Sequence, residues 1–131
     1  MSDESFIDRS VVNQFVNDLD VETVTNLMRF FVQDASARMD RIRAAQEQSN
    51  WKELEREVHS LGSSAGTQGA IQLMDAARAV EAALRNGDTD EACRDLAAVH
   101  ELASVSFQAL GAIADELEAA SVESSPQIKN H

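Results

Sequence analysis

The sequence predicts an all-α protein, an antiparallel up-down four-helix bundle with a short additional N-terminal helix. Three observations carry that expectation. Apolar residues recur at three- and four-residue spacings through most of the chain. The composition is rich in helix formers and holds one proline, five glycines and no tyrosine. The periodic stretches are separated by glycines and N-cap residues, which a continuous coiled-coil rod would lack.

Each element has its own signature. Val11, Val12, Phe15, Val16 and Leu19 form one face of a short helix from Ser10 to Leu19. Asp20 then caps a second helix from Val21 to about Gln48, whose stripe is Val24, Leu27, Met28, Phe31, Ala35, Met39 and Ile42. Ser49-Asn50 breaks it, and Asn50 with Glu53 resembles a capping box opening a third helix at Trp51. That helix has the stripe Trp51, Leu54, Val58, Leu61 and Ala65, closed by the turn Gly66-Thr67-Gln68-Gly69. Leu73, Ala77, Val80 and Leu84 mark a fourth helix ending at Asn86-Gly87. Asp88 with Glu91 caps the fifth, whose stripe from Leu96 to Leu117 carries it to about Ala119. Residues 1–120 are therefore read as one helical domain, and the polar stretch 121–131, which contains Pro126, as a disordered tail.

The chain has 131 residues, with 23 acidic and 11 basic side chains and a net charge of −12. At 44% hydrophobic residues it has enough material for a core. The acidic excess opposes phosphate backbones and anionic lipid, so neither nucleic acid nor membrane insertion is expected. Met1-Ser2-Asp3-Glu4 has no basic or apolar leader character, and Cys93 has no second cysteine to pair with. A cytoplasmic location is expected.

The third helix contains a stretch that stability does not explain. His59-Ser60-Leu61-Gly62-Ser63-Ser64-Ala65-Gly66 is poor helix-forming material, the glycines alone costing about 1 kcal/mol each relative to alanine. At 100° per residue His59 lies about 130° from the centre of the apolar stripe, on the solvent side. Gly62, Ser63 and Gly66 follow at i+3, i+4 and i+7 and are expected to share that open face. Lys52 and Arg56, at i−7 and i−3, lie on the same side and offset negative charge brought to the ring. An ordinary surface histidine is the commoner case, but these surroundings favour an accessible nucleophile that meets an anion.

The segment His59-Ser60-Leu61-Gly62-Ser63-Ser64-Ala65-Gly66-Thr67-Gln68-Gly69-Ala70 resembles the signature of histidine-containing phosphotransfer (HPt) domains, His-x-Leu-Lys-Gly-Ser-Ser-x-x-x-Gly-Ala. Phe30-Phe31, the Asn50-Trp51 entry and Val80-Glu81-Ala82-Ala83-Leu84-Arg85-Asn86-Gly87 extend the resemblance to roughly residues 8–118. It implies a phosphoryl carrier in a multistep His-Asp relay of a two-component system, with His59 as the phosphorylated residue. The implied partners are response-regulator receiver domains and a hybrid sensor histidine kinase. No cofactor is implied on this chain, since Mg²⁺ belongs to the receiver. No Walker-type or glycine-rich nucleotide loop is present, so no ATP-dependent kinase activity of its own is expected.

The sequence departs from the signature at two positions. The family's lysine is Gly62 and its following glycine is Ser63. The missing lysine supports an alternative, a helical adaptor that docks a receiver or another helical partner without transferring anything; Arg56 or Lys52 would compensate if transfer is retained. The resemblance also places Glu81 against the second ring nitrogen as an imidazole orienter. Pairing of Glu81 with Arg78 or Arg85 along its own helix is an equal reading. His100 reads as a packed or hydrogen-bonded residue at the core edge, and the scattered histidines give no metal spacing. Phe30, about 120° off its stripe, is read as packing on the first helix, with partner docking as the alternative. A monomer is expected.

Overall fold

A computed structural model describes residues 6–123, and these form five helices. They are α1 (Arg9–Asp18), α2 (Val21–Glu47), α3 (Trp51–Thr67), α4 (Ile71–Arg85) and α5 (Thr89–Glu123), with no strand among the described residues. Helices α2 to α5 run up and down in a ring, α2 packing on α3 and α5, and α4 on α3 and α5. The all-α bundle expected from the sequence is the observed architecture.

The breaks fall where local chemistry demands them. Asp20 accepts a hydrogen bond from the Thr23 amide at 2.7 Å, Asn50 from Glu53 at 3.3 Å and Asp88 from Glu91 at 3.0 Å. Each satisfies one of the amides that a helix start leaves without a partner. Glu53 does not complete a capping box, because its carboxylate turns to Arg56 instead. Gly87 ends α4 with φ +76°, the left-handed geometry that glycine adopts without penalty.

Most of each stripe becomes core; Leu19 and Leu27, expected on the stripes of the first two helices, are instead exposed. Leu54, Val58, Leu61 and Ala65 of α3 are fully buried, facing an interior that includes Met28, Ile42, Leu73, Val80, Leu96 and Leu110. Burial of each large aliphatic side chain contributes about 1.5–3 kcal/mol. Phe31 and Phe107 meet edge to face across α2 and α5, ring centroids 5.8 Å apart. Trp51 packs against the core as an anchor at the start of α3.

α1 closes the end of the bundle formed by the α3–α4 turn. The Asp8 amide donates to the Gly69 carbonyl at 2.7 Å, and Ile7 and Val12 are buried. Gly69 has φ +83°, and a β-carbon there would lie 3.1 Å from the Asp8 carbonyl oxygen and 3.2 Å from Val11. Both backbone angle and space therefore require glycine in this turn.

Two expectations are corrected. α5 continues to Glu123, past the expected end at Ala119, so 121–123 belong to a helix; the remainder of the expected tail, 124–131, lies outside the described residues. The turn of α5 before this extension is held by Arg29 through Asp115 at 2.7 Å and Glu118, and by Arg9 through Glu116 at 3.1 Å. Phe30 does not pack on α1 but stands 65% exposed, beside the exposed Leu27. By length and composition α5 is apolar enough to cross a bilayer. Its large apolar side chains Leu96, Val99, Leu110 and Ile113 nevertheless point into the bundle at 2% exposure or less, as in a core helix.

His100 sits half-buried in a groove between α2 and α5, near Met39, Arg43 and Phe107. Its Nδ1 is buried without a hydrogen-bond partner. Burial, and then the positive charge of Arg43, lowers its pKa from the ordinary 6.5. The unfolded chain therefore takes up this proton first, so stability is complete above about pH 6.5 and declines as pH falls toward the lowered folded value. Denaturant unfolding at a series of pH values is expected to show this decline in wild type, and His100→Leu to flatten it; parallel curves would contradict the assignment.

Candidate functional site

The site is built on the α3–α4 hairpin. Close approach of the two helices comes first. A β-carbon at Gly62 would lie 3.4 Å from the Ala77 β-carbon and 3.7 Å from the Met74 carbonyl oxygen; one at Gly66 would lie 2.7 Å from the Met74 sulfur. The glycines thus face α4, and Gly62 is buried. This corrects the expectation that Gly62 and Gly66 share the open face of His59. Of that set only Ser63 is exposed there.

With α4 drawn close, Glu81 reaches His59. Its Oε2 lies 2.7 Å from Nδ1 of the imidazole. The Glu81 side chain is 9% exposed and that of His59 is 59% exposed, so the carboxylate forms the floor and the ring projects from it. Arg85, one turn further along α4, places Nη2 2.5 Å from the same Oε2 and donates from Nε to Glu55 at 3.0 Å. The hydrogen bond to Glu55, and then the charge of Glu81, raises the Arg85 pKa further above its already high value. The two contacts weighed for Glu81 thus occur together: it meets the ring and pairs with Arg85, not Arg78, along its own helix.

The protonation pattern follows. An oxygen shared with a guanidinium acts as an acceptor, so Nδ1 is the nitrogen that carries hydrogen. In the neutral ring Nε2 then holds the lone pair, and it has no hydrogen-bond partner among the described residues. The ring opens on a cleft of about 400 Å³ lined by Lys52, Glu55, Arg56, Glu81 and Arg85. Side chains on a helix lean toward its N-terminus, which carries His59 toward Arg56 and Lys52. Arg56 is tied to Glu53, whereas Lys52 holds no carboxylate among the described residues.

The rotation of α3 is fixed from its other side. Glu57, buried against α2, accepts from Arg38 at 2.7 Å and Arg41 at 3.1 Å. Desolvation pushes its carboxyl up, and the hydrogen bonds and positive charges around it more than reverse this, leaving its pKa lowered. Glu57 and the Arg38–Arg41 pair were not read from the sequence, nor was Glu55. No periodicity marks them, since each works across helices.

A family model for the Hpt domain matches residues 26–104. The chain belongs to the Hpt domain family. No curated protein and no solved structure gives a significant match. Hpt domains serve histidine phosphotransfer in phosphorelay signalling, interact with receiver domains of response regulators or hybrid kinases, and are generally soluble. The matched region of this Hpt domain contains all of the hairpin just described. Among its described residues no group of three or more His, Cys, Asp or Glu side chains is placed to hold a metal ion.

The Glu81 contact has a spectroscopic consequence. A charge-assisted hydrogen bond is worth about 1.5–3 kcal/mol, enough to favour the Nδ1–H tautomer by about tenfold or more. Imidazole ¹⁵N NMR of the neutral ring is expected to show that tautomer in wild type. Glu81→Gln, whose amide can donate as well as accept, is expected to give a mixture; an unchanged tautomer ratio would remove Glu81 from the site.

Proposed function

We propose that this Hpt domain carries a phosphoryl group on Nε2 of His59 between the aspartates of receiver domains in a multistep His-Asp relay. The observation that carries the reading is the exposed imidazole with Nδ1 bound to buried Glu81 and Nε2 free in a cleft lined by cations. In the forward step the Nε2 lone pair attacks phosphorus of an aspartyl phosphate. The N–P bond forms as the P–O bond to the aspartate breaks, and the carboxylate leaves with the bonding electrons. The ring retains its Nδ1 hydrogen and becomes cationic, with the Glu81 carboxylate beside it to offset the charge. Transfer to the next aspartate reverses the step.

The remaining chemistry falls to the partner. On this reading Mg²⁺ and a lysine of the receiver stabilise the transferring group, and the bundle contributes a positioned nucleophile. A hybrid sensor histidine kinase is the donor, through its receiver domain, and the module works as a cytoplasmic monomer. The docking face runs from His59 along the exposed Ser63 and Thr67 to Phe30 and Leu27 on α2. Phe30 and Leu27 line one small groove with Ser64 and Thr67, which joins the apolar patch to the face of α3 that carries His59.

Two experiments test the reading. Incubation with a phosphorylated receiver domain is expected to give acid-labile, base-stable label on wild type and none on His59→Gln, while receiver binding persists in both. Binding without label on wild type would instead identify a non-transferring adaptor. Phe30→Ala, at an exposed position, is expected to leave the unfolding midpoint unchanged and weaken receiver binding about tenfold, measured calorimetrically. Unaltered affinity would place the docking face elsewhere.

A further inference from the structure

The chain carries a large acidic excess, and every described arginine but one is held by a carboxylate. Arg9, Arg29, Arg38, Arg41, Arg43, Arg56, Arg85 and Arg94 each form an ion pair. Arg78 alone among the described arginines has neither an ion pair nor a hydrogen bond. Asp75, one turn before it on α4, forms no ion pair with it.

Its position is specific. Arg78 lines a cleft of about 450 Å³ together with His59, Glu81, Ala82 and Arg85. Its Cγ would lie 3.9 Å from a β-carbon at Gly62, so its stem crosses the space that a side chain at position 62 would enter. α4 runs antiparallel to α3, and its side chains lean toward its own N-terminus, hence toward the C-terminal half of α3. Arg78 therefore flanks the imidazole on the side opposite Lys52 and Arg56. Gly62 is buried beside this flank and brings no side chain to it, and the cation there comes from the neighbouring helix.

We infer that Arg78 is the phosphoryl-binding cation of this site, supplied from α4 across Gly62. The inference rests on the reading of His59 as the phosphorylated residue. A guanidinium with no internal carboxylate to surrender has its donors free for phosphoryl oxygens, in a planar fork that suits them. Arg85 would first have to release Glu55 or Glu81.

The test uses phosphoramidate, a small donor that needs no receiver. Its P–N bond breaks, ammonia leaves after protonation, and the phosphoryl group joins Nε2 of His59. Labelling, followed by ³¹P NMR, is expected to slow about tenfold in Arg78→Gln and to remain near wild type in Arg78→Lys. The second ionisation of the bound phosphoryl group, read from its ³¹P shift against pH, is expected to rise in Arg78→Gln, which a purely structural role would not produce. Gly62→Lys in the Arg78→Gln background is expected to restore both readouts, because a β-carbon at position 62 meets only ordinary contacts. Wild-type labelling and an unchanged phosphoryl titration in Arg78→Gln would overturn the assignment of Arg78 while leaving His59 in place. Label persisting on His59→Gln would instead overturn the reading of His59 itself.

Discussion

The close contact of α3 with α4 at Gly62 and Gly66 is the constraint on which the site depends. At Gly66 a β-carbon would collide with the Met74 sulfur at 2.7 Å, and at Gly62 the Ala77 β-carbon and Met74 carbonyl pack at ordinary contact distance from where one would sit. At this helix spacing the Glu81 carboxylate on α4 reaches Nδ1 of the His59 imidazole on α3. Each glycine costs the helix about 1 kcal/mol relative to alanine. Leu61, Ala65, Leu73 and Ala77, fully buried around the same contact, offset that cost through packing. The weak helical stretch is therefore the means by which two helices are set at the spacing the hydrogen bond requires.

A buried carboxylate needs compensation, and Glu81 receives it from two directions. Arg85 and the imidazole both meet Oε2, and Glu55 holds Arg85 in place from α3. The result is a cross-helix network in which the ring is oriented by its neighbour and the neighbour by a charge. Glu57 does the corresponding work on the opposite side of α3, where Arg38 and Arg41 bind it to α2. A helix gripped on both flanks has one rotation open to it, and that rotation puts His59 outward.

The sequence made legible whatever is local. N-caps at Asp20, Asn50 and Asp88, the Asn86-Gly87 stop and the stripe of α3 each depend on residues within one or two turns, and each stands as read. The exposure of His59 followed from its angle to the stripe. That same angle could not say which neighbour takes a flank, so Gly62 was read as facing solvent when it faces α4. Pairs such as Glu55 with Arg85 or Arg38 with Glu57 depend on the register between helices, which periodicity does not contain. The length of α5 was underread because no glycine or capping residue marks its end near Ala119. Phe30 was assigned to α1 because an apolar side chain off the stripe suggests a hidden neighbour; α1 meets α2 and the α3–α4 turn without covering it.

The placement of the cations at the rim suits a carrier better than burial would. Lys52, Arg56, Arg78 and Arg85 are all exposed, whereas the one carboxylate that touches the ring is buried. Opposite charges 4 Å apart attract by about 1 kcal/mol in bulk water and about 4 kcal/mol near a protein surface. On the proposed reading, exposed cations would hold a phosphoryl group in a shallow well, one that a receiver's own metal and lysine could match. Cations buried beneath the ring would deepen the well and trap the group on the imidazole. Glu81 touches the ring, so on the same reading it would orient the nitrogen for attack and offset the ring's charge after transfer. Orientation from below and modest attraction from the rim are separate devices, and the proposed transfer would need no change of geometry to run in either direction.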